Sequence, residues 1–523
     1  MSRDMVRITG MNSGLDTESI IKAYTSTTTQ NIQKAKNNLQ LNKWTQSAWQ
    51  GMNSKIYSFY SKTLSTNRMS GAYRQKKVTT SNSALSVVAG SGSADGVQTA
   101  QIKGTASAAY LTGATLGNIT SGSDNLVEKL EIQEGQQIKF ASNDGKEATI
   151  QIGGESSDEN VTVVNTMDDL VKVFGKQGLN ANYDTTNKRL FLSAKTSGTD
   201  SDFSVTSDSV ETLAKLGLAT KAQIDAFNET ADESSKITAE AASKIPGSKA
   251  KLILNGAEFE SNTNTFSING STYTINYLPT DTNEKISVTT ATDYDGMYDT
   301  IKKMLSEYND LVNEMSKYYN AESAKKYDPL SDEQKEQMTE KEIDEWETKI
   351  KDSILRKDSK LYDIIDTMNN ATLKGIEIGG EKMYLSDFGI ATAGYFEAEK
   401  NERYALHIDG DKDDEASAAK DDKLKAMIAS DPDKVMEFFT GFANNLYNDL
   451  YAKMGSSSLS SIYKVYNDKE LATEQKDWEK KVSDLEEKLK DIEDKYYKKF
   501  ASMEKLLSSI NSKQSAVGSY FGQ

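Results

Sequence analysis

Residues with catalytic potential are sparse in this sequence, and its single histidine is the first to consider. His407 stands in the alternating run Tyr404-Ala-Leu-His-Ile-Asp, and a Ser-His-Asp triad would have to use it. The G-x-S-x-G, Walker A, Rossmann and H-E-x-x-H motifs are all absent from the sequence. We therefore interpret His407 as a strand residue on an exposed face, and we predict no catalytic, cofactor-binding or metal-binding residues.

The acidic stretch Asp409-Gly-Asp-Lys-Asp-Asp-Glu has the composition of a calcium loop but not its spacing. Counted from Asp409, Asp414 stands where an EF-hand needs glycine, and Lys420 stands where it needs a bidentate glutamate. Because runs of like charge usually extend into solvent, we interpret the stretch as a solvated acidic loop. The chain has no cysteine, which excludes disulfides and zinc-thiolate sites.

Length and charge restrict the class of protein. A chain of 523 residues has room for three or four domains. Its net charge of −16 comes without any basic block, which argues against nucleic acid or an anionic membrane as a partner. The sequence contains no run of eighteen apolar residues, so we expect no segment to span a membrane. The N-terminus lacks the apolar region of a Sec signal peptide.

Hydrophobic spacing predicts the elements at the two ends of the chain. Apolar residues in the last fifty positions recur in alternating steps of four and three, typical of a helix that packs a narrow stripe against other helices. Between Tyr496 and Phe500 one step of four follows another, a stutter that locally unwinds a left-handed supercoil. A weaker repeat lies near the N-terminus. We name the combined set the terminal seam and predict that it mediates assembly. Its members are Trp478, Val482, Leu485, Leu489, Ile492, Tyr496, Phe500, Met503, Leu507, Ile510, Ile32, Leu39, Ile56 and Phe59.

A long N-terminal helix is expected from residue 17 to about 70, with Asp16 or Thr17 as its cap. Many of its inward positions are polar, so we expect it to fray unless partners cover it. The middle of the chain reads as short strands, with Asn-Gly hairpin turns at 255–256 and 269–270. Helical spacing returns from Met297 to Tyr318, where an ordinary bundle core explains it equally well. Further helices are predicted in segments 332–371 and 421–453, around a small β patch near 376–408.

These elements predict an α+β multidomain fold. Long terminal helices form a coiled-coil-like stalk with a helical domain, and β-rich head domains are nested inside it. The predicted domains are a terminal leg (1–50 and 469–523), a helical stalk domain (51–77 and 293–468), an inner β-rich head domain (78–115 and 251–292) and an outer, variable β-rich head domain (116–250).

Several motifs, in order, resemble the flagellar filament cap protein family, also called hook-associated protein 2. The resemblance covers about residues 5–110 and 250–523, whereas 116–250 matches only loosely. The acidic insert 410–420 departs from the family pattern. The motifs are Ile8-Thr-Gly-Met-Asn-Ser-Gly-Leu-Asp-Thr-Glu-Ser-Ile-Ile, Val288-Thr-Thr-Ala-Thr-Asp-Tyr-Asp-Gly-Met, Glu307-Tyr-Asn-Asp-Leu, Tyr327-Asp-Pro-Leu-Ser-Asp-Glu-Gln-Lys, Ile354-Leu-Arg-Lys-Asp, Asp387-Phe-Gly-Ile, Leu406-His-Ile-Asp and Asp431-Pro-Asp-Lys-Val-Met-Glu-Phe-Phe-Thr-Gly.

The resemblance implies a homo-oligomeric cap, a pentamer in this family, at the extracellular tip of the bacterial flagellum. Such a cap helps exported flagellin to polymerise and prevents its loss, without catalysis and without a cofactor. The implied partners are other copies of the chain, flagellin and a flagellar type III export chaperone.

Three alternatives stay open. The head domains could act as an adhesin for host mucin or glycan, the chain could be another axial flagellar protein, or, last, it could be an enzyme. Glycan binding favours exposed aromatic residues, and those in 116–250 mostly occupy core-like positions. They are Phe140, Phe174, Tyr183, Phe191, Phe203 and Phe227.

Overall fold

The computed structural model describes residues 13–394 and 398–521, which divide into two compact units. The helical unit is formed by Met1–Tyr73 and Tyr294–Gln523, and the β-rich unit is formed by Arg74–Asp293. The opening of the first family motif, residues 8–12, lies outside the described residues. The predicted α+β multidomain class is confirmed, with the β-rich unit inserted into the sequence of the helical unit.

Helices occur on both sides of the β-rich unit and within it. In chain order they are α1 (Thr17–Ser58), α2 (Ser65–Asn67), α3 (Leu126–Leu130), α4 (Met167–Lys176), α5 (Val210–Lys215), α6 (Lys221–Thr230), α7 (Tyr294–Tyr319), α8 (Asp332–Lys335), α9 (Glu340–Asp352), α10 (Ser359–Thr372), α11 (Lys423–Ser430), α12 (Pro432–Lys453) and α13 (Asp468–Phe521).

The strands are short, and all but the last four belong to the β-rich unit. They are β1 (Lys76–Thr80), β2 (Leu85–Ala89), β3 (Gly96–Gly104), β4 (Tyr110–Thr112), β5 (Gln136–Ser142), β6 (Glu147–Ile152), β7 (Val161–Val164), β8 (Leu179–Asp184), β9 (Arg189–Ala194), β10 (Phe203–Ser207), β11 (Ser243–Ile245), β12 (Ala250–Leu254), β13 (Ala257–Ser261), β14 (Thr265–Ile268), β15 (Ser271–Ile275), β16 (Ile286–Thr292), β17 (Ile376–Ile378), β18 (Glu381–Met383), β19 (Ile390–Thr392) and β20 (Leu406–Ile408).

The N-terminal helix is nearly as long as its sequence predicts. Asp16 caps α1 by accepting a hydrogen bond from the Ser19 backbone N–H at 3.0 Å, which satisfies one of the free donors at the helix start. After α1 the chain continues through a π-helical segment, Phe59–Leu64, into α2. Segments of π-helix are rare and frequently occur at functional sites.

The core of the helical unit is assembled from both sides of the inserted β-rich unit. Side chains of the second half of α1, the π-helical segment, α7, α10 and α12 form one continuous apolar cluster. The spaced residues from Met297 to Met315 lie inside this cluster, so the bundle-core explanation holds for α7. The two small hairpins β17-β18 and β19-β20 contribute further apolar side chains to the cluster.

The β-rich unit has two cores. The inner core lies between a five-stranded sheet, ordered β1-β16-β3-β12-β13, and a three-stranded sheet, ordered β14-β15-β2. Both Asn-Gly turns have the positive φ angles of hairpin turns, with φ of 49° and 87° at Asn255 and Gly256 and of 47° and 76° at Asn269 and Gly270.

The outer core is built by the segment between β4 and β11. Two four-stranded sheets, ordered β10-β5-β6-β7 and β11-β4-β9-β8, pack with α3 to α6 around it. The longest helices of this part are α4 and α6, and the N-terminus of α4 carries a capping box formed by Thr166 and Asp169. The chain passes into and out of this outer part at Ser107 and Ser248, whose backbones exchange two hydrogen bonds of 3.1 Å.

In the described part of the chain, no helix combines the length and the apolar character needed to cross a membrane.

Candidate assembly interface

The two terminal helices α1 and α13 run antiparallel along each other within the helical unit. Tyr24 stacks on Tyr496, with ring centroids 4.7 Å apart and planes 10° from parallel. Lys36 pairs with Glu486 at 2.8 Å, while Asn42 donates to Glu474 at 3.1 Å. Residue numbers in these contacts increase along α1 while they decrease along α13, so the two helices are antiparallel. We expect α1 to fray unless other helices cover it, and α13 of the same chain lies along it.

Polar side chains fix the register of this helix pair. Asn42 is buried, and its side-chain oxygen accepts a hydrogen bond from Gln46 at 2.7 Å. The same Gln46 amide group lies 2.9 Å from the side-chain oxygen of Gln475 and 3.2 Å from the carbonyl oxygen of Leu471. A slipped register would break these hydrogen bonds and leave the buried Asn42 amide unpaired, so they select one alignment at some cost in stability.

Ion pairs add little to the pairing of α1 with α13. Both side chains of the Lys36–Glu486 pair are about half exposed, and exposed pairs contribute at most about 1 kcal/mol. The apolar contacts must therefore supply most of the stabilisation.

The terminal seam on α13 is only partly covered in the single chain. In the described residues α13 has no fully buried side chain. Nine of its ten seam residues, from Trp478 to Leu507, are half-buried, and Ile510 is exposed. Each of these nine side chains is therefore largely covered within the single chain, and the rest of it faces solvent. A partly exposed apolar stripe of this length indicates a further helix or chain as its partner.

The N-terminal members of the terminal seam have two different environments. Ile32 is buried and Leu39 is half-buried along the pair with α13, and both also border a groove closed by Pro329 and Leu330. Ile56 and Phe59 instead lie in the apolar core of the helical unit. Since the same chain encloses them fully, Ile56 and Phe59 offer no surface to another chain, and we leave them out of the proposed interface.

The environments of His407 and the acidic stretch correct two expectations. His407 is half-buried rather than exposed, and its Nδ1 atom lies 2.6 Å from Asp414. Asp411 is buried and accepts a hydrogen bond from Lys302 at 2.6 Å, and the same ammonium group lies 2.6 Å from Asp413. The stretch is therefore anchored by cations rather than simply solvated.

The titration of Asp414 follows from the same contacts. Burial raises the pKa of this carboxyl, but hydrogen bonds from His407 and neighbouring groups outweigh it, so the net pKa is below its ordinary value. Within the residues the structure describes, no group of three or more His, Cys, Asp or Glu side chains is arranged to hold a metal ion.

The β-rich unit exposes aromatic residues that the sequence-based interpretation missed or placed in the core. Phe140, Phe174 and Phe203 are buried as expected, but Phe191 is 39% exposed and Tyr110 is 48% exposed. A strand alternation such as Arg189-Leu-Phe-Leu-Ser defines two faces, and here the two leucines occupy the buried one.

Comparison with known proteins identifies similar chains. The family model described as the C-terminus of flagellar hook-associated protein 2 matches residues 247–512, and the model of its N-terminus matches residues 13–109. Flagellar hook-associated protein 2 of Halalkalibacterium halodurans is 22% identical over 291 residues, 50% of this chain and 51% of the relative. Its counterpart from Thermotoga maritima is 26% identical over 285 residues, 52% of this chain and 41% of the relative. The chain thus spans about half the length of these relatives.

Two solved structures are also similar to the chain. The D1-D2-D3 domains of the flagellar cap protein FliD from Escherichia coli are 16% identical, with a TM-score of 0.47, and the match covers 77% of this chain and 95% of that one. FliD (HAP2) from Pseudomonas aeruginosa is 18% identical, with a TM-score of 0.28, and the match covers 45% and 93% of the two chains.

Proposed function

Since the chain belongs to the flagellar hook-associated protein 2 family, we propose that it is a non-enzymatic cap at the extracellular tip of the bacterial flagellar filament. In this role it promotes flagellin polymerisation and prevents the loss of flagellin monomer. The observation that carries the proposal is the partly covered terminal seam on α13, which leaves an apolar stripe available to other chains.

The proposed partners follow from this geometry and from the family. The resemblance implies an assembly of five chains. In it, other copies of the chain cover the exposed part of α13 from Trp478 to Leu507. Flagellin is bound by the assembled cap, and a type III export chaperone accompanies the chain before secretion. The Tyr496–Phe500 stutter keeps α13 from forming one rigid supercoil, which suits a leg that must change contacts as flagellin subunits are added.

Complementation of a bacterial strain that lacks its own cap gene tests this function. The expected result is that the full chain restores filaments and stops flagellin from accumulating in the medium, measured by immunoblotting. A properly secreted chain that leaves flagellin in the medium and filaments absent would contradict the proposal.

A second candidate function, adhesion through the β-rich unit, is favoured by one sheet face. In the β11-β4-β9-β8 sheet, Ile245 pairs with Tyr110, and Thr112 pairs with Phe191. Residues two apart on a strand share a face, so Ile245, Tyr110 and Phe191 form an exposed diagonal row. The adjacent Asn180 and Asn182 on the same face add uncharged amides.

Neutral sugars suit such a face, because their C–H faces pack on aromatic rings and their hydroxyls bond to amides. The test measures binding of the full chain to immobilised mucin, comparing wild type with Tyr110→Ala/Phe191→Ala. Val88→Ala is the matched control, since Val88 is an exposed apolar strand residue outside this sheet. Unchanged mucin binding in the aromatic double variant would remove this candidate.

A further inference from the structure

A cluster of tyrosines is exposed on the helical unit where the terminal helix pair begins. Tyr57 and Tyr463 have ring centroids 5.4 Å apart, and the buried Tyr60 lies 6.0 Å from Tyr57 and 6.3 Å from Tyr451. The exposed members, with Ile462, are Tyr57 at 38%, Tyr451 at 51%, Ile462 at 55% and Tyr463 at 39%. We name these four residues the tyrosine patch.

The helix faces that carry Tyr57 and Tyr451 are uncharged. On a helix surface, the neighbours of a residue lie three and four positions away. The neighbours of these two tyrosines are Asn53, Ser54, Tyr60, Ser61, Tyr447, Asn448, Met454 and Gly455. Charged groups lie at the margin of the patch. The guanidinium of Arg68 lies 4.1 Å from the Tyr447 ring centroid, Lys464 follows Tyr463 in the sequence, and the Asp468 carboxylate accepts a hydrogen bond from the Ser461 backbone N–H at 2.7 Å.

The backbone holds the patch rigidly. Asn53 is buried, donates to the Tyr463 carbonyl oxygen at 3.2 Å and accepts from the Val465 backbone N–H at 2.9 Å. The Tyr463 N–H donates to the Met454 carbonyl oxygen at 2.9 Å. Tyr463 has a φ of 62°, a conformation that costs energy for a bulky residue and persists only when its surroundings enforce it.

Such strain and the adjoining π-helical segment are features that cluster at functional sites.

We propose that the tyrosine patch is a contact between two copies of this chain. The proposal rests on the self-assembly in the proposed function and adds the surface that mediates it. Two copies that each carry a net charge of −16 repel each other, so they need an uncharged surface to approach closely. Tyrosine with adjacent arginine is also the composition that dominates binding at protein interfaces.

The size and position of the patch agree with one part of a larger interface. Its four side chains expose roughly 400 Å² in total, whereas a stable interface buries about 800 Å² on each partner. The chain leads from Tyr463 directly into α13, which begins at Asp468. The buried Tyr466 between them stacks on the buried Trp49 at 5.3 Å and so fixes the start of α13 against α1. We infer that the missing area comes from the exposed part of the terminal seam on α13.

The test is sedimentation equilibrium of the full chain over a range of concentrations. Tyr451→Glu/Ile462→Glu places two carboxylates in the patch, and we expect self-association to weaken by about tenfold or more because buried, unpaired charges are costly. Tyr451→Ser/Ile462→Ser removes the apolar contacts without adding charge and should weaken it less. Leu373→Glu, at the end of α10 and 67% exposed, is the matched control and should assemble as wild type.

The outcomes separate the possible occupants. Equal self-association of both double variants and wild type would overturn the proposal, as would a wild-type chain that stays monomeric at every concentration. Loss of binding to purified flagellin with unchanged self-association would assign the patch to flagellin instead, which also overturns it. If the glutamate variant melts at a lower temperature than wild type, the self-association of the serine variant tests the proposal instead, because that variant adds no charge to the protein. Complementation of a cap-deficient strain by the wild-type chain tests the proposed function separately, whatever the sedimentation result.

Discussion

Replacing three terminal seam residues by alanine (the truncated variant) should weaken self-association far more than it lowers the stability of the folded chain. Leu485, Leu489 and Ile492 are half-buried on α13. Full burial of such a side chain contributes about 1.5–3 kcal/mol, and about two thirds of this is already gained in the single chain. The remainder is about 0.5–1 kcal/mol per residue, or about 2 kcal/mol for replacing all three by alanine. Since about 1.4 kcal/mol corresponds to a tenfold change, self-association should weaken about 30-fold.

Sedimentation equilibrium measures the association, and circular dichroism measures the helix content of the same samples. The matched control replaces Asp484, Lys488 and Asp491 by alanine, since all three are exposed on the same helix. Replacement by alanine raises the intrinsic helix propensity in both variants, so weaker self-association of the truncated variant reports the apolar stripe and not a loss of propensity. The truncated variant also loses part of its pairing with α1, and its helix content should fall slightly while the melting of the β-rich unit stays unchanged.

A truncated variant that assembles with the affinity of the control would contradict a role for the apolar stripe of α13 in assembly. In that case the exposed part of α13 is not a contact surface, and its exposure to solvent has another cause.

Four further predictions concern other parts of the chain. The fragment 74–293 should fold by itself and give a β-type circular dichroism spectrum with a cooperative melt, because its cores are complete within it; an unfolded spectrum would exclude this. Cells carrying a chain without residues 469–523 should release flagellin into the medium, and normal filaments on these cells would contradict a role for α13. Inserting three residues that end in Leu after Tyr496 should restore the alternating spacing, raise the helix content of a 469–523 peptide and shorten filaments; filaments of normal length would make the stutter incidental. A backbone N–H from Thr115 and a hydrogen bond from Arg189 lower the pKa of Glu240 from 4.5 to about 2; the stabilisation is therefore complete above pH 4.5 and lost as pH falls toward 2, so thermal melts of Glu240→Gln should depend less on pH over this range than those of wild type.

Much of the architecture could be predicted from the sequence, because its local signals agree with the final fold. The 4-3 spacing of α13, the Asn-Gly turns and the capping signal before α1 all correspond to observed elements. Each of these signals acts over a few residues, so the sequence states it directly.

The pairing of elements could not be predicted in the same way. The spacing of α13 defines its apolar side but does not say that α1 covers part of it, since that contact joins residues far apart in the chain. The same holds for His407, where a carboxylate seven residues away decides its environment. The exposure of Phe191 is a further case, because alternation defines two faces of a strand without saying which one is buried.

The paired backbones at Ser107 and Ser248 have a consequence for how the chain tolerates change. The outer part of the β-rich unit has its own core and joins the inner part through two facing backbone segments and through hydrogen bonds between Asn262 and the loop that holds Ser197 and Asp200. Everything between these residues could be lengthened, exchanged or replaced by a short turn while the inner sheets keep their hydrogen bonds. The inner and outer parts can thus diverge at different rates, and a new binding surface can be acquired by substitution of the outer part alone.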